Sequence, residues 1–386
     1  MKKFKFIDLF SGVGGFHQAM CQIGGECVFA SEIDKFCTET YMENYGINSQ
    51  YDITDVRVED IPKHDVLCAG FPCQAFSKAG KQSGMDDARG TLFFEIARIL
   101  KYHKTKYIIL ENVRNLVTHD KGNTKKIIYN TLKELGYRLT SEPLILSPHH
   151  FGIPQLRERV VIVGLYDPAN VNLPLEINFE KLKVKNDNSI YTIVNSDHVD
   201  AKYNISEHEK MVLNAWDEFY KGINQKVIGF PIWSDYFRNT TIPSKYPEWK
   251  KDFVRKNMQL YKDNKKFIDS WLLKYNNLEK FNNTQRKMEW QAAETIKTIW
   301  EGVIQFRPSG IRVKAPTCFP ALVAIVQIPI IGKYKRRLTV EEAAALQSFS
   351  KDFKINSNLQ QAYKQLGNSV NVVVIREVAE KLIKNY

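Results

Sequence analysis

One cysteine and one glutamate stand where their side chains could perform covalent chemistry together. Cys73 follows the predicted strand Val66–Ala69, and Glu111 follows the predicted strand Tyr107–Leu110. Because ligands of open α/β sheets bind outside the carboxyl ends of the strands, we expect both side chains to face one crevice. Pro72 fixes the backbone angle before the cysteine and helps to direct the thiol. This pair predicts a nucleophile and a general acid.

A glycine-rich loop predicts a cofactor site in the same crevice. The predicted strand Phe4–Phe10 continues into Ser11–Phe16, where glycines let the backbone approach a ligand closely. Glu32 follows Gly12 by 20 residues, the spacing at which an acid grips the ribose hydroxyls of a nucleotide. The pattern is GxGG and not GxGxxG, which argues against a dinucleotide and therefore against a dehydrogenase. The alternative for such a loop taken alone is a tight turn.

The first 165 residues alternate β-rich runs with helical stretches, which predicts an α/β fold with a mostly parallel sheet covered by helices. From about residue 185 the chain changes character, and a helical pattern resumes after Arg336, including a predicted helix over Ser369–Ile383. We therefore predict a catalytic and cofactor domain over 1–180, completed by 333–386, and a smaller domain over 181–332. The remaining strands and helices are predicted at Glu26–Ala30, Val160–Leu165, Gly15–Ile23, Lys35–Tyr45, Thr91–Tyr102 and Thr124–Leu135.

The positive charge of the chain is concentrated in its second part. The net charge is +12, and residues 181–332 hold 24 Lys and Arg against 16 Asp and Glu, an excess of +8. A basic excess confined to one segment favours a polyanionic partner. The alternative is an ordinary solvated surface in a lysine-rich chain.

Composition also excludes several classes of protein. Six cysteines in a chain this long do not make a disulfide framework. None of them forms a CxxC pair, so a cysteine zinc site is not expected either, and we predict no metal. No apolar run approaches the roughly 18 residues of a membrane span, and the N-terminus lacks the apolar stretch of a signal peptide. These features predict a cytoplasmic protein without a membrane partner.

Five motifs together resemble the DNA cytosine-5 methyltransferase family, and they occur in the order found in that family. The resemblance covers roughly residues 1–165 and 334–386 and is strongest to the bacterial enzymes that partner restriction endonucleases. It implies an S-adenosylmethionine-dependent methyltransferase (Rossmann-like) fold with a smaller target-recognition domain. The motifs are Asp8–Phe16, Gly70–Gln74, Glu111–Val113, Gln155–Arg159 and Gln365–Val370.

The resemblance implies a role for each residue of the reacting half. Carbon 5 of cytosine is a poor nucleophile, and addition of the Cys73 thiolate to carbon 6 activates it toward the methyl donor. Glu111 would hold or protonate N3 and stabilise the charge that develops there. Arg157 and Arg159 would hold the carbonyl oxygen of the base or the nearby loop, with Arg157 preferred as the direct contact.

The implied cofactor is S-adenosyl-L-methionine, and the implied product is S-adenosyl-L-homocysteine. Glu32 would bind the ribose, Asp52 the adenine amino group, and Leu92 and Asn368 would line the methionine part. Many relatives carry an aromatic residue where Ile33 stands, so aliphatic packing is expected to replace stacking on the adenine. The full set of expected cofactor residues is Phe10, Gly12, Gly14, Glu32, Ile33, Asp52, Pro72, Leu92 and Asn368.

The resemblance implies double-stranded DNA as the partner. A target base inside a duplex has to be flipped out before it can react. Arg307 and Arg312 lie in a loop-strand segment and could each contact a guanine with two hydrogen bonds. Gln74 and Ser77, just beyond the cysteine, are further predicted DNA contacts. We expect a monomer that acts on the same site as a cognate restriction endonuclease without having to bind it.

Two alternative functions share parts of this pattern. A tRNA-methylating branch of the superfamily has the same catalytic parts, but its members usually lack a large basic insert such as 181–332. A non-catalytic DNA-binding relative would keep the fold, but the intact Cys73 and Glu111 argue against that reading.

Overall fold

The computed structural model describes residues 3–72, 92–179, 189–194, 199–224, 229–322 and 327–386. The predicted site residues Cys73, Gln74 and Ser77 lie outside the described residues, as does the predicted domain boundary after residue 180. The chain divides into two compact units. The first comprises Met1–Asn188, Ala321–Ile325 and Val340–Tyr386, and the second comprises Ser189–Pro320 and Val326–Thr339.

Strands and helices alternate through the first part of the described chain, as the sequence predicted. The strands are β1 (Phe4–Leu9), β2 (Gly25–Ser31), β3 (Val66–Gly70), β4 (Tyr107–Val113), β5 (Tyr137–Leu139), β6 (Leu144–Leu146), β7 (Gln155–Leu156), β8 (Arg159–Tyr166), β9 (Ile232–Trp233), β10 (Lys287–Gln291), β11 (Val303–Arg307), β12 (Gly310–Lys314), β13 (Phe319–Pro320), β14 (Ile330–Ile331) and β15 (Arg336–Arg337). The α-helices are α1 (Gly15–Cys21), α2 (Lys35–Tyr45), α3 (Leu92–His103), α4 (Asn123–Glu134), α5 (Glu207–Gly222), α6 (Glu248–Asp263), α7 (Lys265–Lys274), α8 (Val340–Leu346), α9 (Leu359–Asn368) and α10 (Val372–Asn385).

A mostly parallel sheet forms the first unit, and the predicted α/β fold is confirmed. Its strand order is β2-β1-β3-β4-β8-β5, with β6 also pairing with β8. The pairs β1–β2, β1–β3 and β3–β4 are parallel, whereas β8 runs antiparallel to β4, β5 and β6. The inner strand β3 is a continuous apolar run because helices cover a sheet of this kind on both faces. Leu67 and Ile108 are fully buried in the core, together with Ile96 of α3 and Leu132 of α4.

The predicted C-terminal helix is present, and a further helix precedes it. The helix predicted over Ser369–Ile383 corresponds to α10, and α9, which the sequence analysis did not predict, lies directly before it. Asn371 begins α10 as its N-cap, and its side chain accepts a hydrogen bond from the backbone N–H of Val374. Because an N-cap residue leaves the helical conformation, this asparagine separates the two helices.

A six-stranded sheet and three helices form the second unit. The strand order is β15-β14-β11-β12-β10-β9, and α5, α6 and α7 contribute side chains to the same core. Trp216 and Trp271 are buried in that core, whereas Trp249 is 61% exposed on α6. None of the described helices combines the length and the apolarity needed to cross a membrane.

Candidate active site and cofactor loop

The register of the sheet places the reacting segments at one edge. Gly70, the last residue of β3, pairs with Glu111 near the end of the parallel strand β4. Phe71 and Pro72 therefore leave the sheet beside Glu111, as the sequence predicted from the two strand ends. Cys73 follows directly in the chain.

Glu111 is a buried carboxylate paired with one arginine. Its Oε1 atom lies 3.0 Å from Nε of Arg159, which is the first residue of the antiparallel strand β8. Burial raises the pKa of Glu111 above its usual value, and the positive charges of Arg159 and Arg157 oppose that shift. A carboxyl group in this state keeps its proton to a higher pH than an exposed one, which suits a proton donor.

Arg157 is engaged by backbone carbonyl groups. Its Nη1 donates to the carbonyl oxygen of Leu322 at 2.7 Å, and its Nη2 donates to those of Gly367 and Ser369 at 2.9 Å. Burial and the nearby charge of Arg159 lower its pKa to about 9. Arg157 therefore holds backbone carbonyl groups, whereas Arg159 stands beside Glu111.

Asn112 is a residue of this site to which sequence analysis assigned no role. Its Nδ2 donates a hydrogen bond of 2.9 Å to the carbonyl oxygen of Phe71. This bond ties the end of β4 to the segment that leads into Cys73. The signal was present, since Asn112 lies within the motif Glu111–Val113, but its spacing alone does not reveal a backbone partner across strands.

The glycine loop adopts a backbone that few residues tolerate. Phe10, Gly12 and Gly14 all have positive φ, at 55°, 53° and 87°. The hydroxyl of Tyr45 lies 3.2 Å from the carbonyl oxygens of Val13 and Gly14 and donates to them. A Cβ on Gly14 would lie 2.3 Å from the Tyr45 ring, so glycine is required by space as well as by conformation. Sequence analysis missed Tyr45, which has no motif to mark it.

Glu32 is fixed by backbone donors beside this loop. Its Oε2 accepts from the N–H of Gly12 at 2.9 Å, and its Oε1 accepts from the N–H groups of Ile33 and Asp34 at 2.8 Å. A carboxylate offers about four acceptor positions, so three backbone bonds orient it and leave capacity for a ligand hydroxyl. The structure thus brings together the loop and the acid that the sequence separated by 20 residues.

The remaining predicted cofactor residues lie on different elements of the first unit. Ile33 is 73% exposed, an unusual position for an isoleucine. Asp52 is exposed, and hydrogen bonds from the side chain and backbone of Thr54 lower its pKa. The other three are Pro72, exposed after β3, Leu92, half-buried at the start of α3, and Asn368, exposed at the end of α9.

The two predicted DNA-reading arginines lie on neighbouring strands of the second unit. Arg307 ends β11, Arg312 lies in the middle of β12, and both stand near the carboxylate of Glu289 on β10. Within the described residues, these two arginines therefore lie around the same carboxylate, that of Glu289.

A substitution can separate the work of the two arginines near Glu111. We expect Arg157→Met to lower the free energy of unfolding by about 3 kcal/mol, because several buried carbonyl groups lose their donor. Urea unfolding followed by circular dichroism measures this loss, and Arg114→Met, an exposed arginine, serves as the control. A midpoint for Arg157→Met equal to that of the control would contradict the backbone-holding role.

Comparisons with known proteins show the family to which this chain is related. The model of the C-5 cytosine-specific DNA methylase family matches residues 4–384. The Type II methyltransferase M.AluI of Cellulosimicrobium cellulans is 32% identical over 99% of this chain and 92% of its own length. The Type II methyltransferase M.HhaI of Haemophilus parahaemolyticus is 31% identical over 97% of this chain and 93% of its own length.

Solved structures support the fold. The methyltransferase EhMeth of Entamoeba histolytica superposes with a TM-score of 0.59 at 18% identity and covers 100% of this chain and 99% of its own. At this level of identity, the likeness concerns the fold alone.

Proposed function

We propose a mechanism for this chain from the premise that it belongs to the C-5 cytosine-specific DNA methylase family and methylates carbon 5 of cytosine in DNA. The observation that carries the proposal is the buried Glu111, paired with Arg159 at the edge of the sheet where Cys73 follows β3. Covalent activation of a pyrimidine requires a thiolate nucleophile and an acid that can donate a proton, and burial raises the pKa of Glu111 toward that role.

Cys73 is proposed as the nucleophile that forms a bond from its sulfur to carbon 6 of the flipped cytosine. Glu111 donates its proton to N3, so that the electron pair displaced by the thiolate does not remain as an unstabilised charge. Arg159, rather than Arg157, holds the carbonyl oxygen of the base, because its guanidinium lies at the Glu111 carboxylate. After methylation, loss of the C5 proton to solvent expels the thiolate, and N3 returns its proton to Glu111, so that both residues are restored.

The glycine loop fits S-adenosyl-L-methionine, which supplies the electrophilic methyl group when bound. A Cβ on Gly12 would meet no atom within 4 Å, so there is open space beside the loop for a ligand. Glu32, held by three backbone donors, is proposed to accept from the ribose hydroxyls. Ile33 exposes an apolar side chain that an adenine ring would cover, and Asp52 offers a carboxylate to the adenine amino group.

The methionine end of the cofactor is proposed to lie near the C-terminal motif. Asn368 ends α9 immediately before Ser369, and a Cβ on Gly15 would lie 2.6 Å from Ser369 Oγ. Such close packing brings Asn368 near the start of α1 and hence near the loop. Phe10, Gly14, Pro72 and Leu92 complete the proposed lining.

Tyr45 is expected to act on cofactor affinity through the loop. We predict that Tyr45→Phe binds S-adenosyl-L-homocysteine about fivefold more weakly, since one hydrogen bond of about 1 kcal/mol to the loop carbonyls is lost. Isothermal titration calorimetry measures this, with Tyr102→Phe, an exposed tyrosine, as the control. Equal dissociation constants for the two variants would show that the Tyr45 hydroxyl does not position the loop.

The second unit is proposed as the target-recognition domain and the first unit as the catalytic domain. The basic excess of 181–332 would attract the phosphates of duplex DNA, which position the protein without specifying a sequence. Gln74 and Ser77 are proposed DNA contacts next to the nucleophile. We further propose a cytoplasmic monomer that protects host DNA against a cognate restriction endonuclease.

Transfer of tritiated methyl groups from S-adenosyl-L-methionine tests the proposal directly. Duplex DNA is expected to be labelled, whereas tRNA and a sample without nucleic acid are not. Labelling of tRNA without labelling of DNA would overturn the proposed substrate. Bisulfite sequencing of a plasmid methylated by the enzyme then gives the target sequence and the modified cytosine.

A further inference from the structure

One face of the sheet in the second unit carries polar side chains on three adjacent strands, β10, β12 and β11. Side chains alternate between the faces of a strand, and the core receives Met288, Trp290, Ile304, Ile311 and Val313. The residues between these point to the opposite face, which we call the polar face. Its polar residues are Lys287, Glu289, Gln291, Gln305, Arg307, Arg312 and Lys314, and Val303 lies on the same side.

The strand register sets three of these side chains in a row. Arg312 pairs with Glu289 on the parallel strand β10 and with Gln305 on the antiparallel strand β11. Glu289 Oε2 accepts from Arg312 Nε at 2.9 Å and lies 2.8 Å from Arg312 Nη2. The same oxygen lies 3.8 Å from Nη1 of Arg307, a longer and weaker pairing.

The polar face has more positive charge than its own carboxylate can compensate. Glu289 is the one acidic residue in the sequences of β10, β11 and β12, which hold four basic residues, Lys287, Arg307, Arg312 and Lys314. Burial is the largest cause that lowers the pKa of both Arg307 and Lys314, and the positive charge of Arg312 is the second. Nη1 of Arg307 is buried and has no hydrogen-bond partner among the described residues. Half-buried donors without acceptors cost folding free energy, and a ligand rich in acceptors would remove that cost.

The pairing with Glu289 also leaves a defined edge of the Arg312 guanidinium for such a ligand. Nε and Nη2 point to the carboxylate, and Nη1 makes no hydrogen bond to any residue in the described part of the chain. The edge formed by Nη1 and the second N–H of Nη2 therefore remains. Two parallel N–H groups on one edge match the O6 and N7 acceptors of guanine in the major groove.

Resting on the proposed function, we propose that the polar face reads the DNA sequence and that Glu289 holds Arg312 in the pose that contacts one guanine. Arg312 is the specificity-determining residue, and Glu289 is a positioning residue that acts through it. Arg307 and Lys314 add donors and positive charge around the same contact.

Capture of duplexes from a random library by the full chain tests this independently of methyl transfer. The bound DNA is sequenced for the wild type, Arg312→Ala, Arg312→Lys, Glu289→Ala and Glu289→Gln. The control is Arg255→Ala, which removes an arginine from another Arg–Glu pair of the second unit, on α6. Captured wild-type duplexes are expected to share a sequence that contains guanine.

The expected result is a change confined to one base pair. Arg312→Ala and Arg312→Lys should lose about tenfold of the discrimination at one guanine, and Glu289→Ala should relax that same position. Glu289→Gln, which keeps an acceptor of similar shape, should relax it less, and Arg255→Ala should retain the wild-type preference.

Three outcomes would overturn the proposal. The first is that the wild type captures no preferred sequence. The second is that Arg312→Ala weakens binding to all sequences equally, as loss of a phosphate contact would. The third is that both Glu289 variants keep the wild-type sequence preference. Sequence-specific capture by a wild type that labels no DNA would instead contradict the proposed function and leave the reading role standing.

Discussion

Cys73→Ala is expected to reduce methyl transfer to duplex DNA by roughly 10⁴-fold, the scale of loss when a covalent nucleophile is removed. Without the thiolate, carbon 6 of the base gains no substituent, and carbon 5 stays too weak a nucleophile to take the methyl group. Single-turnover transfer of tritiated methyl groups measures the rate. Cys21→Ala, which changes an exposed cysteine in the same unit, should keep the wild-type rate.

A second measurement separates loss of the nucleophile from loss of structure. Duplex DNA with fluorine on carbon 5 has no C5 proton to lose, so the bond between sulfur and carbon 6 should persist after methylation. Mass spectrometry should detect this adduct with the wild type and with Cys21→Ala, but not with Cys73→Ala. Near-normal methylation by Cys73→Ala would rule out the covalent mechanism and leave the fold unaffected.

The parts of the fold that followed from the sequence are those governed by local patterns. Strand β3 is buried on both faces, so its sequence is a continuous apolar run that predicts a strand. Helix α3 is buried on one face, so its apolar residues recur at helical spacing. The helix α9 was missed, since its ten residues give only a short helical pattern. Short strands such as β5 and β6 were missed as well, because three residues carry little periodicity.

The candidate site shows the same division. Spacing from the glycine loop predicted a role for Glu32, and a motif at a strand end predicted one for Glu111, but neither showed what holds these side chains. The roles of Arg157 and Arg159 depend on which backbone carbonyls come close, over separations of up to 212 residues, and their shared motif gives both the same appearance. Tyr45 and Glu289 act through tertiary contacts with a loop and an arginine, so nothing in their neighbours along the chain marks them.

Glu111→Gln is expected to lower the single-turnover rate by about 10²- to 10³-fold, the usual contribution of a general acid. The amide keeps the shape and can donate a hydrogen bond to N3, but it cannot give up a proton. Burial raises the pKa of Glu111, so the wild-type carboxyl is protonated below that raised pKa and loses its proton as the pH rises through it.

The pH dependence distinguishes proton donation from a merely structural effect of Glu111. Ionisation of the Cys73 thiol increases the rate with rising pH, while ionisation of Glu111 decreases it, so the wild-type rate should pass through a maximum. Glu111→Gln has no acid to ionise and should lose the falling limb, whereas Glu158→Gln, which alters a half-exposed carboxylate paired with Arg114, should retain it. A variant that is only misfolded would lose rate at every pH without changing the shape of the profile. If Glu111→Gln retains the falling limb, the proton comes from another group.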